Sequence, residues 1–174
     1  MEALQVDRSQ LIDSQQYLTF KLAGEEYGID ILTVQEIRGY EKATRIPRTP
    51  DYLSGVINLR GAVVPIVDLR KRFRLTDTSV NSNTVIILVK IAAEHSHRTI
   101  GMVVDAVSDV HLISHDELGA LPNLKGGAIA GDFITGIATI NEKMIILLDV
   151  DSLINSAVLE DAIDNEVNEV FVEA

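Results

Sequence analysis

The chain has 174 residues, a formal net charge of -11, 47% hydrophobic residues, and neither Cys nor Trp. That length can bury about 70% of the unfolded surface, as one domain or two small packed ones. Lack of Cys excludes disulfides, thiolate metal sites and Cys nucleophiles. The negative charge argues against a protein that neutralises many phosphates, and the apolar runs are too short to span a bilayer as helices.

Residues 1–14 are polar and unpatterned and read as a flexible leader; they lack the apolar core of a signal peptide. Tyr17–Leu22 mixes β-formers with an outward Lys21 and reads as a strand. Gly24 turns the chain into a second strand, Tyr27–Ile31. Residues 32–38 are expected to form a short helix. Thr49-Pro50-Asp51 has the order of a helix start, and Gly55 that of a helix stop. Val56–Leu59 and Ala62–Val67 form a hairpin around Arg60-Gly61, with Pro65 at an edge or bulge because it cannot donate to a ladder. Asp68 caps a helical turn ending near Phe73. Residues 76–83 are a polar connection.

Thr84–Ile91 and Arg98–Val107 are expected to pair as long strands around His95-Ser96-His97. Ser114–Glu117 opens a helical turn that stops before Pro122, and residues 123–132 read as a loop. Phe133–Ile140 and Lys143–Val150 make a last hairpin around Asn141-Glu142. Asp151 is expected to cap a helix with Leu153, Ile154 and Val158 inward. The tail, residues 158–174, is acidic, and residues 160–174 are read as dispensable for folding. Many short strands rich in β-branched residues indicate an all-β barrel architecture with a few short helices, since closure removes unpaired edges.

Several blocks carry a resemblance. Tyr27–Leu32, Val34–Tyr40, Arg45-Ile46-Pro47, Gly55–Gly61, Pro65–Arg70 and Gly101–Val110 resemble a CheW-type chemotaxis coupling protein, in order and at the expected spacing. The likeness covers roughly residues 15–157. It implies two packed five-stranded SH3-like β-barrels with a terminal helix, in one CheW-like domain of two intimately packed subdomains. It also implies a non-catalytic adaptor that couples transmembrane chemoreceptors to a CheA-type histidine kinase.

Within that likeness, Val34, Glu36, Arg38, Gly55, Asn58 and Arg60 are the candidate receptor- or partner-binding residues. Arg60 is the foremost, because guanidinium binds carboxylates in a fixed fork and cannot act as a base. Its alternative is a solvated turn residue paired locally with Glu36 or Asp68. Gly55 is either a plain helix stop or a point where a partner's backbone comes close. Val34 and Ile37 are most simply core. Val103, Asp105, Val107 and Val110 are candidate kinase contacts; in one regular strand, Val103, Asp105 and Val107 share a face.

Catalysis finds little support. His95, His97, His111 and His115 lack metal-ligand spacing, so no metal and no cofactor are expected. Leu124-Lys125-Gly126-Gly127 lacks Walker spacing, and no Gly-x-Ser-x-Gly motif occurs. The expected partners are a chemoreceptor cytoplasmic tip, the CheW-like regulatory domain of the kinase and further copies in rings, with no nucleic acid and no membrane insertion. The expected location is the cytoplasm, at the inner face of the membrane through receptors. The competing readings are the CheW-like part of a receiver-fused regulator, which the chain's length disfavours, and a small β-barrel hydrolase using the Asp/His set.

Overall fold

The computed structural model describes residues 14–93, 96–119 and 133–154. Leader residues 1–13, the start of the His95 turn, Pro122, the loop 123–132 and the tail, with Val158, lie outside them, while Ser14, expected in the leader, already belongs to the first strand. Eleven strands form two sheets among the described residues. In chain order they are β1 (Ser14–Leu22), β2 (Glu25–Asp30), β3 (Val34–Gly39), β4 (Leu53–Leu59), β5 (Ala62–Asp68) and β6 (Val85–Ala93). β7 (Ser96–Val104), β8 (Ala106–Ser114), β9 (Leu118–Gly119), β10 (Ile134–Ile140) and β11 (Lys143–Leu148) follow. Helices are confined to single turns and the short Val150–Ile154 segment.

The six-stranded sheet has the order β8-β1-β2-β11-β10-β9, and the five-stranded sheet β3-β6-β7-β5-β4. The expected all-β architecture with few short helices is present, though the sheets are curled and open rather than closed barrels. The five-stranded sheet comes nearest to closure. Beyond its β3 edge the chain bends back, and Thr44 and Val56 exchange N–H···O bonds of 2.8 and 2.9 Å with the opposite edge strand, β4.

Curling gives three cores. Ile57, Val64, Ile66, Ile86, Leu88 and Val103 fill the five-stranded sheet. Tyr17, Ile113, Ala138, Ile145 and Leu147 fill the six-stranded one. The largest core lies between the sheets, where Leu18, Phe20 and Ile29 meet Leu53, Ile87, Val89 and Met102. β6 serves two cores: Ile86 and Leu88 face one, Ile87, Val89 and Ile91 the other. This explains its unbroken apolar run, because a strand buried on both faces has no polar side to show. Phe20, Tyr27, Phe73 and Phe133 form a chain of ring contacts with successive centroids 6.1, 5.6 and 5.8 Å apart.

Three hairpins turn on two residues at positive φ: Ala23-Gly24, Arg60-Gly61 and Asn141-Glu142. Such turns match the right-handed twist of their strands. The expected β1–β2, β4–β5 and β10–β11 hairpins all form. Pro65 pairs with Val56 on one side and precedes the point, Ile66, where β5 begins to pair with β7, so its missing donor costs that ladder nothing. Asp68 caps the helical turn Leu69–Arg72 as expected, its carboxylate accepting from the Arg70 N–H.

Four local expectations are corrected. Residues 32–38 are not a helix. Asp30 accepts from Leu32 N–H at 2.9 Å and fixes a single 3-10 turn, Ile31–Thr33, after which burial alternates with period two along β3. Thr49-Pro50-Asp51 starts no helix, because the Thr49 hydroxyl donates to the Ile46 carbonyl at 2.8 Å and the Leu53 N–H to Pro50, closing turns that lead into β4. Gly55 therefore stops no helix. The helix Val150–Ile154 contains Asp151 rather than being capped by it. Asp149 takes the capping place, accepting from the Ser152 N–H and hydroxyl at 3.4 and 3.2 Å and, through its carbonyl, from the Leu153 N–H.

Candidate functional site

The β4–β5 turn places Arg60. Arg60 has φ +51° and Gly61 φ +87°, and the Asn58 side-chain oxygen accepts the Gly61 N–H at 2.9 Å. Asn58 thus braces the turn. Arg60 itself stands out, its side chain 72% exposed. A non-glycine residue in this left-handed region costs roughly 1–2 kcal/mol, so the turn holds Arg60 at some expense.

Curling brings this tip to β3, the other edge of the same sheet. Arg60 Nη2 donates to Glu36 Oε2 at 2.9 Å, and Arg38 Nη1 donates to Glu36 Oε1 at 3.3 Å. Arg38 also lies 3.7 Å from Glu41. One carboxylate is therefore held between two guanidinium groups. The hydrogen bond from Arg60 is the main reason that the Glu36 carboxyl sits below its ordinary range; partial desolvation opposes it, and the charges of Arg60 and Arg38 add to it. Sequence analysis named Glu36, Arg38 and Arg60 separately; the fold joins them. The local Glu36–Arg60 pairing weighed there is present, on an open surface.

Two apolar side chains of the same segment are exposed, Ile37 on the face of β3 opposite Glu36 and Arg38. Leu32, on the 3-10 turn, is 86% exposed, and Ile37, on β3, is 44% exposed. Val34 is half-buried against the large core. The assignment of Ile37 to the core is corrected: on β3 it belongs to the outward set.

Gly55 lies elsewhere and does a different job. It is buried in β4 at φ +137°, where a Cβ would overlap the Thr44 carbonyl. The backbone that approaches it is the chain's own, in the bridge that draws the sheet round.

The second candidate set does not form one face. β7 ends at Val104, and β8 begins at Ala106 in the other sheet, with Asp105 at the bend. Val103 is wholly buried in the core of the five-stranded sheet, so it offers no outward contact. Val107 packs half-buried against the large core, and Val110 is 45% exposed on β8.

Asp105 is tied inward. Its Oδ2 accepts the Ala23 N–H at 2.8 Å, and its Oδ1 lies 3.3 Å from Arg70 Nη1. Arg70 is 2% exposed and forks onto Asp68, with Nε–Oδ1 and Nη2–Oδ2 both 3.0 Å, while Nη1 reaches the Ser79 carbonyl at 2.6 Å. Burial pulls this guanidinium toward neutrality, but the Asp68 and Asp105 carboxylates outweigh it and hold its pKa above the ordinary value. Sequence analysis missed this junction between the sheets. The available signal was a charged Asp68-x-Arg70 pair closing the apolar run Val63–Val67. Among the described residues no group of three His, Asp or Glu side chains is arranged to hold a metal ion.

A curled pair of small β-sheets packed across a common core, with an ion-paired hairpin tip, defines an all-β class of domain. The comparisons narrow it. The CheW-like domain family model matches residues 16–158, and the chain belongs to that family. It is 44% identical over 142 residues to a chemotaxis protein CheW of Klebsiella aerogenes, covering 82% of each chain. It is 33% identical to a probable chemotaxis protein CheW of Rhizobium etli, over 83% of this chain and 90% of that one. The solved scaffolding protein TtCheW of Thermoanaerobacter tengcongensis superposes with a TM-score of 0.72 at 35% identity, over 81% of this chain and 92% of that one.

Proposed function

We propose that this chain is a non-catalytic chemotaxis adaptor that couples transmembrane chemoreceptors to a CheA-type histidine kinase. The observation that carries the reading is the exposed Arg60–Glu36–Arg38 group; Ile37 is exposed on the opposite face of β3, and Leu32 on the turn before it. An edge strand with apolar side chains on one face and a fixed, charge-assisted donor on the other suits a helical receptor tip that presents apolar ridges and a carboxylate. Arg60 and Arg38 then recognise the carboxylate, Ile37 and Val34 meet the ridge, and Asn58 and Gly55 keep the hairpin and the sheet edge in place. The names of the relatives, a chemotaxis protein and a scaffolding protein, support the class.

The kinase's regulatory domain binds a separate surface that includes Val107 and Val110, with Asp105 acting from beneath. Because that domain resembles this chain, like-on-like pairing extends into rings. Residues 15–157 form the functional unit, and the protein works at the inner face of the membrane, held there through receptors. Two modest contacts on one scaffold raise effective concentration, and avidity gains about 10²–10⁴ without a stronger interface. Signal passes when receptor state changes the free energy of the adaptor–kinase geometry.

The test is a pull-down of the full chain with a receptor cytoplasmic tip and the kinase, separately and together. Retention of each alone and of both in one complex supports the reading; retention of neither rejects it.

A further inference from the structure

Charge is segregated along this chain. Residues 45–74 hold seven Lys or Arg against two Asp, in a chain whose net charge is -11. After Lys143 there is no Lys or Arg, and residues 160–174 hold six acids. The fold gathers four of the cations, Arg48, Lys71, Arg72 and Arg74, at the base of the β4–β5 hairpin. There the turn 46–49 and the helical turn Leu69–Arg72 lie side by side. Lys71 Nζ is 3.9 Å from Asp51 Oδ1, the Arg72 guanidinium lies 5.5 Å from the Tyr52 ring centroid, and the Asp68 N–H donates to the Tyr52 carbonyl at 2.8 Å. Arg48 and Arg74 stand exposed, and among the described residues neither guanidinium has an ion pair or hydrogen bond. Both hold left-handed backbones, φ +64° and +58°, which residues with a Cβ disfavour. The acids nearby are taken: Asp51 by Lys71, Asp68 by Arg70 and Asp77 by Ser79. The last described helix, Val150–Ile154, starts beside this face. The Asp149 N–H donates to the Phe133 carbonyl at 2.8 Å, and the Phe133 ring stacks on Phe73 at 5.8 Å and lies 5.7 Å from the Arg72 guanidinium.

We propose that residues 160–174 dock on this basic face of their own chain. From Ile154 to Glu160 is about 20 Å of extended chain, and residues 160–174 add about 50 Å, so acids tethered to a helix that starts beside Arg72 reach the face. The match is one of charge. Six acids with no cation among them meet arginines that lack an acid. Each exposed ion pair is weak, but a tethered segment meets its site at an effective concentration in about the millimolar range, so several weak pairs suffice. An outside anion, whether lipid or nucleic acid, has no such advantage. The docked segment screens the base of the hairpin, and an acidic partner for that face must first displace it. The proposal does not rest on the adaptor reading, since it concerns one chain alone.

The experiment uses the full chain. It has no Cys, so Asn165→Cys carries a single nitroxide, and paramagnetic broadening of amide signals maps where that label lies. Spectra are taken in about 0.01 M salt, where charges act over about 30 Å, and in about 1 M salt, where they act over about 3 Å. The amides of Arg48, Lys71 and Arg74 should lose most of their intensity in low salt and recover it in high salt. Those of Val110 and Asn141, on the other sheet, should keep theirs. Arg48→Gly/Arg74→Gly relaxes both backbones and removes two charges, so in low salt it should restore much of the lost intensity. Low-salt spectra without broadening at Arg48 and Arg74 overturn the proposal and leave the face to an outside anion. Broadening spread evenly over both sheets, or unchanged by salt, overturns it too. So does broadening passed from a nitroxide-carrying chain to an isotope-labelled chain without nitroxide, since the occupant is then a second copy. Because no receptor or kinase is present, failure here leaves the adaptor reading intact.

Discussion

At the scale of single residues, Arg60 is where conformation and recognition conflict. Its left-handed backbone costs about 1–2 kcal/mol. An exposed, solvent-screened ion pair with Glu36 returns little against that cost. Replacing Arg60 by Gly relaxes the backbone and removes the pair, so Arg60→Gly should melt at or above the temperature of the parent while binding receptor tip more weakly. A melting temperature several degrees lower, read by circular dichroism, would make Arg60 a structural residue. The same pair predicts a titration. Glu36 has its carboxyl held below the ordinary value of 4.5, first through the Arg60 hydrogen bond. A depressed carboxyl stabilises the fold above its unfolded pKa, and that contribution fades as pH falls through the native one. The Glu36 midpoint, followed by carboxyl-carbon NMR, should therefore rise toward 4.5 in Arg60→Gly; an unchanged midpoint would mean that the pair does not persist in solution.

At the scale of elements, turn chemistry makes two further predictions. Glu142 sits at φ +66° in the β10–β11 turn, where Gly is the better residue. Glu142→Gly should stabilise the protein by about 1 kcal/mol, seen as a rise of roughly 2–4 °C in melting temperature. Gly55→Ala should do the opposite. A Cβ there overlaps the Thr44 carbonyl at a φ that L-residues avoid, so a loss of about 3 kcal/mol or more is expected, with β4 and the Thr44 segment the first amides to lose exchange protection.

Hairpins were legible because their turn residues and flanking runs are local, as at Asn58–Gly61 and Asn141-Glu142. Residues 32–38 and 49–55 were misread where local turns lead into strands. Helical spacing and a Thr-Pro-Asp start are local signals, and they were overridden by pairing with β6 and β5, partners about 46–55 and 11–14 residues away. The candidate site was legible as types and spacing: Glu36, Arg38 and Arg60 each stood out, yet only curling of the sheet brings them together. Arg70 was hidden because burial of a charge depends on partners, Ser79 and Asp105, that no window around it contains.

At the scale of the whole molecule, two sheets share one core and one charged junction. Asp68, Arg70 and Asp105 tie the end of β5 to the bend between β7 and β8 and, through Ala23, to the first hairpin. Removing one partner leaves a buried charge uncompensated. Arg70→Met should cost about 3–5 kcal/mol, measured by urea denaturation, and Asp68→Asn/Arg70→Met should recover part of it. An unchanged denaturation midpoint in Arg70→Met would remove the junction from the account. If the molecule is an adaptor, stability and bridging must be separable, because the Arg60 group is exposed while the junction is buried. The most direct measurement is bridging itself: recovery of kinase on immobilised receptor tip in the presence of the parent chain or of Arg60→Glu, with both melting temperatures recorded. The parent should carry kinase to the receptor and Arg60→Glu, still folded, far less; equal recovery by the two proteins would rule out the Arg60 group as the receptor contact.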